Sequence, residues 1–192
     1  MRRAIGYSLL LFWTALAAAV HLTLAGFSVS LFSGIGADSV PTLRAFVPDL
    51  VTLLLVATVG RLSRRDTLMI ALVVFVGRSA FTGSPPFAVL AGTILTAYVA
   101  DTLRTVAELD RPFLRIVSAG LGSLLYGYWL VFVDHALARE SQALGELHFG
   151  SPDAAAVGLP IVTAVATALC ALAFWPVFTR LPGQKRLERR AF

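Results

Sequence analysis

Along this chain the apolar positions come in long unbroken runs, not in alternation with polar ones. Ile5–Phe32, Pro112–Ala138 and Ala154–Phe178 are apolar on every side. Each exceeds the roughly 20 residues that carry a helix across a hydrocarbon core about 30 Å thick. A helix on a water-soluble domain shows a single apolar stripe, and these show none. Three further segments, 47–60, 67–82 and 86–101, have the same character. The period-2 alternation of membrane β-strands is absent. The pattern therefore predicts an all-α fold in one domain over residues 1–192, a polytopic helical membrane bundle of about six transmembrane helices.

The third and fourth segments are short, each about 24 Å by helical rise. They read either as two tilted or mismatched spans or as a re-entrant hairpin. Between them lies Gly83-Ser84-Pro85-Pro86. Two consecutive prolines lack donors, and the second disfavours the helical conformation at the first, so this break is a turn. The connectors are 33–46, the basic turn RLSRRD at 61–66, 101–111 and 139–153. The third of these mixes charges with Leu103, Val106 and Leu109. It reads equally as a short interfacial helix and as a solvated connector before Pro112, which suits the first turn of the next helix.

Only 14% of the residues are charged against 57% hydrophobic, where soluble domains carry about 25% charged residues. The net charge of +5 is no nucleic-acid footprint, because the basic residues sit at segment ends without a binding motif. Their distribution instead orients the chain. Arg2, Arg3, Arg61, Arg64, Arg65, Arg104, Arg111, Arg115, Arg180, Lys185, Arg186, Arg189 and Arg190 fall on one side of a six-crossing scheme, Arg44 and Arg139 on the other. By the positive-inside rule both termini are expected in the cytoplasm. The start, MRRAIGYSLLLFWTALAAAVHL, imitates a secretory signal, but its apolar run continues to Phe32. It reads as a retained span, with cleavage near Ala19 as the alternative. The lone Cys170 excludes an intramolecular disulfide and reads as a packing residue.

Charges inside the segments are the candidate chemistry. Asp49 follows Pro48 at the outer end of segment two, Arg78 lies near the outer end of segment three, and Asp134 and His135 near that of segment five. His21 falls in the outer half of segment one. A charge at the bilayer centre costs about 3 kcal/mol on insertion scales, so such residues face the bundle or snorkel outward. Two arrangements serve Arg78: an outer polar cluster with Asp49 and Asp134, or a guanidinium that reaches the headgroups alone. His21 and His135 read as packed or interfacial residues. No H-E-x-x-H, G-x-S-x-G, Walker loop or paired metal ligands are present, so no catalysis, metal or cofactor is expected. Trp13, Trp129, Trp175 and Tyr98 fall towards segment ends and read as interface anchors.

Two passages carry a family resemblance. Residues 47–78, VPDLVTLLLVATVGRLSRRDTLMIALVVFVGR, open a span on Pro48-Asp49, make a short basic turn and start a second span. Residues 82–104, TGSPPFAVLAGTILTAYVADTLR, follow a Gly83-Ser84-Pro85 turn with a helix that ends in a basic stretch. Over residues 45–135 this succession resembles the MreD family of bacterial inner-membrane proteins of the rod-shape and cell-wall elongation system. Family members often carry an acid about one helical turn before the Gly-Ser-Pro glycine, where Ser79 stands here. The resemblance implies a non-enzymatic scaffold that sits in membrane lipid and binds an MreC-like bitopic protein and, through it, cell-wall synthases. Gly120, Gly122 and Gly127, and the pair Ala15 and Ala19, supply small surfaces for helix contact. The competing class is the substrate-binding subunit of energy-coupling-factor vitamin transporters, similar in length and hydropathy. In that class Arg78, Asp49 and His21 would line an outward-facing ligand pocket.

Overall fold

The sequence LVTLLLVATV has no polar face, and the fold gives it surroundings to match. In a computed structural model, which describes residues 2–32, 46–62, 64–106, 112–143 and 154–187, this stretch is the central helix. The chain order is α1 (Arg2–Phe32), α2 (Leu50–Val59), a 3-10 turn (Arg64–Asp66), α3 (Thr67–Ser79), α4 (Pro86–Val106), α5 (Pro112–Ala143), α6 (Ala154–Thr179) and α7 (Gln184–Leu187). Among the described residues all regular structure is helical. Every residue of α2 from Val51 to Val59 is buried, and α1, α3, α4, α5 and α6 all pack on it. Arg44, Glu108, Asp110, Arg111, Arg189 and Arg190 lie outside the described residues, as do most of the connectors 33–46 and 139–153.

Four helices, α1, α4, α5 and α6, are long and apolar enough to cross a membrane. Their outward faces expose Phe12, Leu16, Leu95, Phe132, Leu169 and Phe174, the polarity of a surface solvated by hydrocarbon. α2 and α3 are shorter. At ten residues, α2 measures about 15 Å by helical rise, near half of a hydrocarbon core. Its limits are local. Pro48 disfavours helix before it, Asp49 caps its first turn, and Gly60 ends it ahead of the basic turn.

The short segments are thus the second and third, not the third and fourth. α4 runs for 21 residues, past the Asp101 at which the sequence reading ends it. The reason is burial: Asp101 is 3% exposed and paired with Arg64, so its charge faces the bundle and does not stop the helix. At its other end, α4 begins on Pro86, as a proline at the first helical position favours. Pro85 O accepts from Ala88 N at 2.9 Å. The tail also departs from expectation. Gly183, at φ +102°, reverses the chain, and α7 lies back on α1 with Leu187 against Gly6. Trp13 Nε1 donates to Pro182 O at 3.2 Å.

Contacts between termini show that the helices alternate in direction. Arg3 meets Asp66 at 3.6 Å, Arg64 meets Asp101 at 3.5 Å, Arg61 donates to Thr179 O, and Arg104 donates to Val59 O and Leu62 O. One end of the bundle thereby collects these arginines, and Arg78 lies towards the other.

The small residues of α5 serve this packing. A Cβ on Gly122 would press on Val56, Thr52 and Thr96, one on Gly127 would meet Pro160 at 2.8 Å, and Gly120 faces Ala168. These three surfaces are filled from within the chain and are not free for a partner helix. On α4, a Cβ on Gly92 would lie 2.7 Å from Trp129 Cδ1 and 3.0 Å from Tyr126. Two rigid rings cannot yield as a flexible chain end would. Gly92→Leu should therefore lower stability by about 1–3 kcal/mol through overpacking, measured as thermal unfolding in detergent. Gly158→Ala, in open space on α6, should leave stability equal or higher.

Candidate functional site

The cap of α2 builds the site. Asp49 Oδ1 accepts from Thr52 N at 3.0 Å, the bond a helix N-cap makes to its third residue. Oδ2 accepts from Thr52 Oγ1 at 2.6 Å and from Arg78 Nη2 at 2.7 Å. Arg78 Nη1 donates to Thr52 Oγ1 at 3.0 Å. Thr52 thus gives its proton to the carboxylate and offers its oxygen to the guanidinium. The guanidinium carbon lies 3.6 Å from the centre of the Tyr126 ring on α5, a desolvated cation–π contact of about 2 kcal/mol. Asp49 and Arg78 are 4% and 9% exposed.

Further hydrogen bonds extend the cluster. Asp49 N donates to Thr167 Oγ1 on α6 at 2.8 Å, and the Thr167 hydroxyl lies 3.2 Å from Ser123 Oγ on α5. His21 Nδ1 on α1 lies 2.9 Å from Pro48 O. A carbonyl only accepts, so the bond places the proton on Nδ1. Trp129 Nε1 donates to Ala88 O on α4 at 2.8 Å. The network and the His21 contact tie α1, α2, α3, α5 and α6 together, and the Trp129–Ala88 bond joins α4 to α5.

The structure brings Asp49 and Arg78 together but leaves Asp134 apart, exposed on α5. Tyr126, about two turns earlier, occupies the place beside Arg78. Burial at 9% also removes the alternative in which Arg78 reaches the headgroups alone. Gly83, Ser84 and Pro85 form the turn that leads into α4, and the hydrogen bonds of Asp49 and Arg78 run to Thr52, Thr167 and each other, not to this turn. A Cβ at Gly83 would meet nothing within 4 Å. Trp175 is buried, which removes it as an interface anchor, while Trp129 is half-buried and donates to Ala88 O. Sequence reasoning missed Thr52, Tyr126, Ser123 and Thr167. The Asp49-x-x-Thr52 spacing of a helix cap was the one available signal. Among the described residues no group of His, Cys, Asp and Glu has the spacing to hold a metal ion.

Compared with known proteins, the chain matches no family model, no curated protein and no solved structure.

Asp49→Asn retains the cap acceptor and removes the charge, leaving Arg78 buried without its counter-ion. The expected loss is about 3–5 kcal/mol. The double variant Asp49→Asn/Arg78→Met removes both charges and should recover more than half of that loss, read from denaturation in detergent. Equal losses in the two proteins would show that the charges are not coupled.

Proposed function

We propose that this protein is a non-enzymatic scaffold of the bacterial cell-shape and peptidoglycan-elongation machinery, MreD-like, and a multi-pass protein of the inner membrane. In this proposal six segments cross the bilayer and both termini are cytoplasmic. Its partners are an MreC-like bitopic protein and, through it, the cell-wall synthases. One observation carries the choice: the Arg78 cluster is closed. The guanidinium is spent on Asp49, Thr52 and Tyr126, and Asp49 on Thr52 and Arg78. Charges engaged in this way set the positions of helices and do not present a ligand surface. This counts against a solute-binding subunit, in which Arg78, Asp49 and His21 line a pocket. The Pro48-Asp49 motif supports the proposal as a structural device, since it starts the central helix and supplies the counter-ion.

A scaffold of this build works through its outer faces. α3 exposes Leu68, Met69, Leu72 and Val76, and α6 exposes Ile161, Val165, Leu169 and Leu172. A photo-crosslinking residue at Val76 or Leu169 in cells should capture a bitopic membrane protein, and one at Val56 inside α2 should capture nothing. Depletion should convert rods to spheres. Thermal stabilisation by a vitamin-type solute, with no captured partner, would transfer the assignment to the transporter subunit.

A further inference from the structure

We infer that the arginine-rich end carries a site for the headgroup of a primary-amine phospholipid, between α3 and α4. A cavity of about 160 Å³ opens there, lined by Arg64, Thr67, Ala71, Ile94, Tyr98 and Asp101 among others. Asp101 is 3% exposed. Its Oδ2 lies 3.5 Å from Arg64 Nε, while its Oδ1 is buried and receives no hydrogen bond. Thr67 Oγ1, on the same wall, is also buried without a partner. A carboxylate oxygen withdrawn from water calls for a donor, and a charged donor answers it best.

The remaining wall is apolar, and the cavity lies between the exposed Leu68 of α3 and the exposed Tyr98 of α4. An occupant must therefore bring three things: an N–H donor for Asp101 and Thr67, an anion for Arg64, and hydrocarbon for the flanks. The Arg64 side chain is 72% exposed and lines the cavity, which leaves its charge accessible to a phosphate. An ethanolamine phospholipid combines these groups in the required order. Its ammonium enters the cavity, its phosphate meets Arg64, and its acyl chains run along Leu68 and Tyr98. A choline headgroup has no N–H to donate, and a glycerol headgroup brings no positive charge to Asp101. The site lies at the opposite end from the Arg78 cluster and does not depend on the scaffold assignment.

Native mass spectrometry of the full chain in detergent, titrated with phosphatidylethanolamine, phosphatidylcholine and phosphatidylglycerol of identical chains, tests the site. The ethanolamine lipid should bind about tenfold more tightly than the other two. Asp101→Asn should abolish its preference over the choline lipid. Arg64→Gln should weaken both the ethanolamine and glycerol lipids, and Arg64→Lys, which keeps a cation beside the buried Asp101, should retain them. Equal retention of all three lipids by the wild-type protein would overturn the site. So would an Arg64→Gln protein that keeps the wild-type ethanolamine affinity. Competition by phosphoethanolamine without chains, at the same concentration as the lipid, would overturn the lipid assignment in favour of a soluble amine.

Discussion

A carboxylate and a guanidinium 2.7 Å apart, both withdrawn from solvent, decide how the short helices of this bundle stand. In hydrocarbon there is little hydrophobic drive for one apolar helix to pack on another. A helix such as α2, apolar on all sides, has no preferred face by composition. Its rotation and depth must come from directed contacts. Asp49 provides them, because one carboxylate both caps α2 and receives Arg78 from α3. The fixed geometry of the guanidinium then leaves few placements of α3 that satisfy Asp49, Thr52 and the Tyr126 ring together. A buried ion pair is a poor source of net stability, but it discriminates strongly between registers.

The other end of α2 uses the same device with backbone and hydroxyl acceptors. The helical part of this segment is ten residues and ends inside the bundle, so its last carbonyls need partners from the protein. Arg104 from α4 donates to Val59 O and Leu62 O, and Gln184 Nε2 from α7 donates to Thr58 Oγ1 at 3.1 Å. The central helix is thereby held at both ends by groups from helices distant in sequence. The outer faces of α1, α3 and α6 carry no such duty, which leaves them open to lipid or to other membrane proteins.

Much of this was legible in the chain. The runs at 5–32, 112–138 and 154–178 correspond to α1, α5 and α6, and Pro86 starts α4 where the double proline required. Asp49 and Arg78 stood out because charges in apolar segments need partners. What was not legible depended on which residues meet. Tyr126 is one of many aromatics in an apolar helix, and nothing local marks its ring as the floor beneath Arg78. Asp134 looked equivalent to Asp49 by depth, yet the rotation of α5 turns it outward. Asp101 looked like the end of a helix, because a charge next to a basic stretch resembles a boundary until its burial is known.

Sequence alone determined the class of the protein, the number and order of its apolar segments, and the polar residues that need company. Those properties follow from transfer energies and helix termini, which are local. Only the tertiary structure decided that α2 lies at the centre, that the α5 glycines are filled from within, and that Arg78 rests on Tyr126 instead of Asp134. Each of these depends on the relative rotation of two helices, and rotation is set by contacts between residues far apart in the chain.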